Sequence, residues 1–123
     1  MRSLKEQFEA YGGDYEATMA RFMHNEAMYR KFLGMFFQDQ NLHRLGEALE
    51  AGDLRGAFEA AHTLKGVVGN MGLAPLYRAV CAMVEPLRAG DPGQDYQALY
   101  RTVLAEYDRA EALKNDLAGG EQP

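Results

Sequence analysis

Between Leu54 and Val68 the apolar residues Leu54, Ala57, Phe58, Ala61, Leu64 and Val68 recur at intervals of three and four. That spacing gathers them on one face of an α-helix. The same interval organises most of the chain. It links Leu4, Phe8 and Tyr11, then Tyr15, Met19 and Phe22, then Leu42, Leu45 and Leu49. It returns in Leu76, Val80, Met83, Val84 and Leu87, and finally from Tyr96 through Leu99, Tyr100, Val103, Tyr107 and Ala110 to Leu117. These segments are separated by short Gly, Asp and Pro breaks, which confines the chain to an all-α fold. Its 123 residues fit one domain, and a hydrophobic content of 47% is enough to fill a single core.

The breaks carry helix-end chemistry. Ser3 followed by Glu6 is a capping-box pattern. Gly12-Gly13 ends that first short helix, Asp14 can cap a second, and Asn25 a third. A long helix is predicted over 26–51, bent at Gly34 and Gly46. Its first half is crowded with Met28, Tyr29, Phe32, Leu33, Met35, Phe36 and Phe37, which cover more than one stripe. They either touch two neighbouring helices or leave an apolar patch for a partner. Gly52-Asp53 stops this helix and caps the next, over 54–70, and Gly72 is the glycine that ends it. Pro75 is tolerated in the first turn of the following helix, which "AGDPG" ends. The tail "AGGEQP" reads as frayed.

Four longer helices joined by tight turns predict an antiparallel four-helix bundle, with its core over about 26–118. Two short N-terminal helices, over about 3–23, pack across it, and the whole of 1–123 forms a single domain.

The net charge of −5, without a Lys/Arg block, argues against nucleic acid or an anionic membrane as partner. Cys81 stands alone, so the chain contains no internal disulfide and no Cys-rich metal site. No apolar run long enough to span a bilayer and no secretory leader is visible, and a cytoplasmic, free-standing protein is expected. His24, His43 and His62 are too far apart to form an i, i+4 metal pair. Neither a nucleophile elbow nor a phosphate-cradling loop occurs.

The segment "AHTLKGVVGNMG", from Ala61 to Gly72, is the exception to economical helix design. Gly66 and Gly69 inside a helix cost about 1 kcal/mol each relative to alanine, in a domain stable by about 5–15 kcal/mol. On a helical wheel His62, Gly66 and Gly69 follow i, i+4, i+7 and form a stripe beside the core face, with Lys65 between the two. The imidazole therefore sits next to a bare strip, open to a large partner, and Lys65 can bring its ammonium near anything attached to the ring. The glycines are equally compatible with close helix packing. His24 and His43 lack this setting and read as surface residues.

At these residues the sequence resembles the histidine-containing phosphotransfer (HPt) family of two-component phosphorelays. "AHTLKG" matches the family's H-x-L-K-G signature, with His62 at the phosphoacceptor position. The Gly-Asp start, the G-N-x-G end and the following helix occur in the same order, and the resemblance covers roughly Asp14 to Ala118.

The resemblance implies a four-helix bundle and a phosphocarrier without an ATP site, not an enzyme in its own right. It also implies response-regulator receiver domains, or a hybrid histidine kinase, as partners. Mg²⁺ is expected on the receiver and no cofactor on this chain. Lys65 would offset the phosphoryl charge and Gly66 would give steric access. Some family members place a glutamine 22 residues after the histidine, where this chain has Val84. Glu59 is then the candidate to orient His62, while Gly69, Tyr77, Cys81, Val84 and Arg88 are candidates for the border of the site. Two competing readings are an adaptor that docks a receiver or kinase without carrying phosphate, and a metal-binding bundle, which the missing ligand pairs disfavour.

Overall fold

The computed structural model describes residues 2–119, the last two by their backbone alone. Seven helices follow one another: α1 (Leu4–Tyr11), α2 (Tyr15–Arg21), α3 (Glu26–Phe36), α4 (Asn41–Glu50), α5 (Leu54–Asn70), α6 (Ala74–Ala89) and α7 (Tyr96–Gly119). Among the described residues no strand occurs.

The caps are those that the sequence encodes. Ser3 Oγ accepts from Glu6 N at 3.1 Å, and the Glu6 carboxylate accepts from Ser3 N, closing the capping box. Asp14, Asn25 and Asp53 accept in the same way from the backbone N–H of Ala17, Met28 and Gly56. Each satisfies a donor that the first helical turn leaves unpaired. Gly72 and Gly90 turn the chain out of α5 and α6 with φ of +71° and +65°, a region that penalises any Cβ. The tail predicted to fray lies largely in residues 120–123, outside the described residues.

The segment over 26–51 is two helices rather than one. Gln38 N and Asp39 N bond back to Met35 O and Phe36 O in tight i→i−3 fashion. Asp39 Oδ1 then accepts from Asn41 N at 2.7 Å and from Asn41 Nδ2 at 2.8 Å. An aspartate that bonds its own neighbourhood competes with helix continuation. The break thus falls between Gly34 and Gly46 and at neither of them. Gly46 serves another purpose: a Cβ there would stand 2.5 Å from the Tyr100 hydroxyl, which donates to Leu42 O at 3.2 Å and brings α7 close to α4.

Helix α4 packs on α5, α5 on α6 and α6 on α7, and α7 returns to α3 and α4. Leu33, Leu45, Ala57, Ala61, Leu64, Val68, Leu76, Val80, Met83 and Val103 fill the space between them. The crowding on α3 divides between two faces. Tyr29, Leu33 and Phe36 are buried, whereas Phe32 and Met35 remain 41% and 53% exposed.

Helices α1 and α2 close one side. Phe8 and Phe22 meet the Tyr29 ring edge-on, and the buried Tyr29 hydroxyl donates to Met71 O at 2.8 Å. Thr18 lies against Gly72, fastening α2 to the turn between α5 and α6.

Candidate functional site

Helix α5 turns one face inward. Ala57, Ala61, Leu64 and Val68 are buried, so the residues between them are forced outward. His62 is exposed on the flank, and Lys65 is half-buried one turn further on. A Cβ built on Gly66 would meet no heavy atom within 4 Å. That side of the helix is open beside the imidazole, and packing gives no reason for the missing side chain.

Gly69 differs. A Cβ there would come within 2.9 Å of Tyr77 Cε1, so the Tyr77 ring of α6 occupies the space. The bare strip beside His62 is therefore one glycine long, and the second glycine is a packing residue. Together His62, Lys65, Gly66, Gly69, Asn70, Tyr77 and Arg21 line an open groove of about 420 Å³.

The remaining predicted border residues lie elsewhere. Val84 is 1% exposed and belongs to the core. Glu59 pairs with Arg55 at 3.6 Å, one turn back on the same helix, and does not hold the imidazole. Cys81 neighbours the Tyr77 side chain and raises its phenol above the ordinary pKa. The Arg88 guanidinium lies 5.0 Å from the Phe58 ring centroid and pairs with Glu85 at 3.5 Å. None of these four lines the groove.

Among the described residues no hydrogen bond reaches the His62 ring. Its neighbour is Phe58, one turn earlier, with ring centroids 5.5 Å apart at 39°. Arg88 covers the same phenyl ring, so Arg88, Phe58 and His62 form a continuous contact from α6 to the imidazole. Phe58 sits on the core stripe of the sequence, and its second contact became visible only once α6 was in place.

The second residue that sequence reasoning missed is Arg21. Its Nε donates to Asn70 O at 3.1 Å and its Nη2 to Gly69 O at 3.2 Å, across a separation of about fifty residues that leaves no local signal. His24 stands in the α2–α3 turn with φ of +58°, and His43 faces Glu47 at 3.4 Å. Among the described residues no three His, Cys, Asp or Glu side chains are placed to hold a metal ion, and no helix is long and apolar enough to cross a membrane.

The fold and the groove define a helical domain in which an exposed imidazole, flanked by a lysine, borders an open groove. The chain belongs to the Hpt domain family, whose sequence model matches residues 31–117. Membership implies histidine-containing phosphotransfer in two-component signalling, and Hpt domains are phosphocarriers. Comparison with curated proteins and with solved structures gives no significant match. Helices α1 and α2 and the first turn of α3 precede the matched region.

Proposed function

We propose that the chain is a phosphorelay carrier that accepts a phosphoryl group on His62 from a receiver-domain aspartate and passes it to another. The observation that carries this reading is the exposed, unbonded imidazole beside Lys65 and the open backbone at Gly66. The ring formed by α3/α4, α5, α6 and α7 corresponds in this reading to an antiparallel four-helix bundle.

A neutral imidazole has a free lone pair near pH 7 without a separate general base. That nitrogen attacks phosphorus as the P–O bond to the aspartyl carboxylate breaks, and the electron pair leaves with the carboxylate. The transition state is loose, so positioning and charge stabilisation dominate. Phe58 buttresses the ring, Lys65 offsets the phosphoryl charge, and the bare Gly66 lets the donor approach. Mg²⁺ and the acidic residues around it come with the receiver.

Incubation with phosphorylated receiver domains tests this. Acid-labile, base-stable phosphate should appear on the wild type, on His24→Gln and on His43→Gln, and should be absent from His62→Gln. Label retained in His62→Gln refutes the assignment, and no label on the folded wild type leaves an adaptor.

A further inference from the structure

Arg21 ends α2, in the segment that precedes the family match, yet it lines the His62 groove. Its position answers a specific electrostatic need. The C-terminal end of a helix carries roughly half a negative charge on carbonyls that lack intrahelical partners. Helix α5 has no basic residue in its last turn. Arg21 supplies the missing cation from another helix by donating to the carbonyls of Gly69 and Asn70.

A guanidinium has five N–H donors in a rigid fork. Two of Arg21's donate to these carbonyls, and the others meet no described residue. Lys65 likewise has no ion pair among the described residues. The groove therefore carries two unpaired cations and no carboxylate, in a chain whose net charge is −5. A locally positive groove on an acidic protein attracts an anionic partner surface.

Arg21 is badly placed to touch a phosphoryl group itself. Gly69 lies two turns beyond His62, about 10 Å along the helix axis. Lys65, at under half that distance, is the cation for the phosphoryl group. What reaches Arg21 is the surface of the molecule that brings the phosphoryl group, once it has docked over Gly66. A second groove of about 420 Å³ continues past Arg21 between α2 and the start of α6, sharing Arg21, Gly69 and Tyr77 with the first.

We propose that Arg21 is a docking and specificity-determining residue that binds a carboxylate on the protein exchanging phosphate with His62. The N-terminal helices thereby take part in partner recognition. The proposal rests on His62 being the phosphoacceptor.

The test compares the wild type with Arg21→Lys, Arg21→Gln and Arg21→Glu against two donors. One is phosphoramidate, which has no docking surface. The other is the phosphorylated receiver domain that labels the wild type fastest. With the receiver, Arg21→Glu should lower kcat/KM about tenfold or more at about 0.05 M salt, with the gap narrowing at about 0.5 M. Arg21→Lys should keep most of the wild-type rate and Arg21→Gln should lose it. Phosphoramidate labelling should stay within about twofold throughout, since Arg21 sits too far from the ring to matter there.

Receiver transfer unchanged in Arg21→Glu overturns the proposal, as does a receiver defect matched by an equal phosphoramidate defect. If Arg21→Glu does not fold, Arg21→Lys and Arg21→Gln decide. Equal rates in those two variants reduce Arg21 to a helix cap. A folded wild type that neither donor labels at His62 overturns the underlying phosphocarrier reading instead.

Discussion

The ring edge of Tyr77 fills the space where a side chain at Gly69 would stand, 2.9 Å from the Cβ that Gly69 lacks. One turn earlier, Gly66 faces open space. Two glycines on one helical stripe are small for opposite reasons, and this separates the effects of substituting them.

Gly66→Ala should raise Tm by about 3–6 °C, the helix-propensity gain of up to about 1 kcal/mol with no steric penalty. Gly69→Ala should leave Tm at or below the wild-type value, because the ring must move. In a Tyr77→Ala background the same Gly69→Ala change should become stabilising. A thermal-melt double-mutant cycle measures the coupling. Additive effects would mean that the ring yields freely.

Gly66→Leu should fold at least as well as the wild type and sharply slow transfer from a phosphorylated receiver. Labelling by phosphoramidate should change much less, since a small donor passes where a protein surface is blocked. A stable variant with undiminished receiver transfer would leave the glycine without a role in access.

Lys65→Ala should slow transfer or shorten the phosphohistidine lifetime about fivefold, since an exposed pair of charges at ~4 Å is worth about 1 kcal/mol in water. Its Tm should stay within about 2 °C of the wild type. The decay of isolated phosphorylated protein reads this directly, and equal lifetimes would show that the charge is irrelevant.

Asp39→Ala should cost about 1 kcal/mol, the usual loss when a helix start gives up its side-chain acceptor. Gln40, at the cap position itself, makes no side-chain cap bond, so Asp39 is the only acceptor there. Urea unfolding measures the change. An unchanged midpoint would assign the break between α3 and α4 to packing, for instance of Phe37 on Tyr107, rings 5.0 Å apart.

Stability should fall in alkali. Burial raises the Tyr11 phenol to about 12 and pushes Tyr29 up as well. A group whose folded-state pKa is raised contributes stability that is complete below its unfolded pKa, about 10 for tyrosine, and is lost as pH climbs through the folded value. Urea midpoints should be flat up to pH ~10 and fall between ~10 and ~12, by up to about 1.4 kcal/mol per pH unit for each phenol. Tyr29→Phe should be less stable at pH 8, having lost the bond to Met71 O, and should fall less steeply above pH 10. Parallel curves for the two proteins would exclude Tyr29 as a contributor.

Much of this molecule is legible locally. The caps at Ser3, Asp14, Asn25 and Asp53, the turn at Gly72 and the extent of α5 depend on residues within a few positions of one another, and all emerge from spacing and side-chain chemistry. The stripe that sets His62 outside the core follows from the same arithmetic, because helical periodicity is local. Where the reading failed, a competing local bond or a distant partner decided. Between Phe37 and Leu42, where Asp39 bonds Asn41, a segment predicted as one helix forms two.

Tertiary structure decided the rest. Sequence alone established an all-helical chain with an exposed histidine flanked by a lysine and two glycines. It contained nothing to distinguish those glycines, since only the placement of α6 brings Tyr77 against Gly69 and leaves Gly66 open. Nor did it place Arg21 at the end of α5, or show Phe58 shared between His62 and Arg88. These contacts join residues far apart in the chain. They exist because burying the apolar faces of several helices at once fixes how the helices are rotated against each other, and no single segment encodes that rotation.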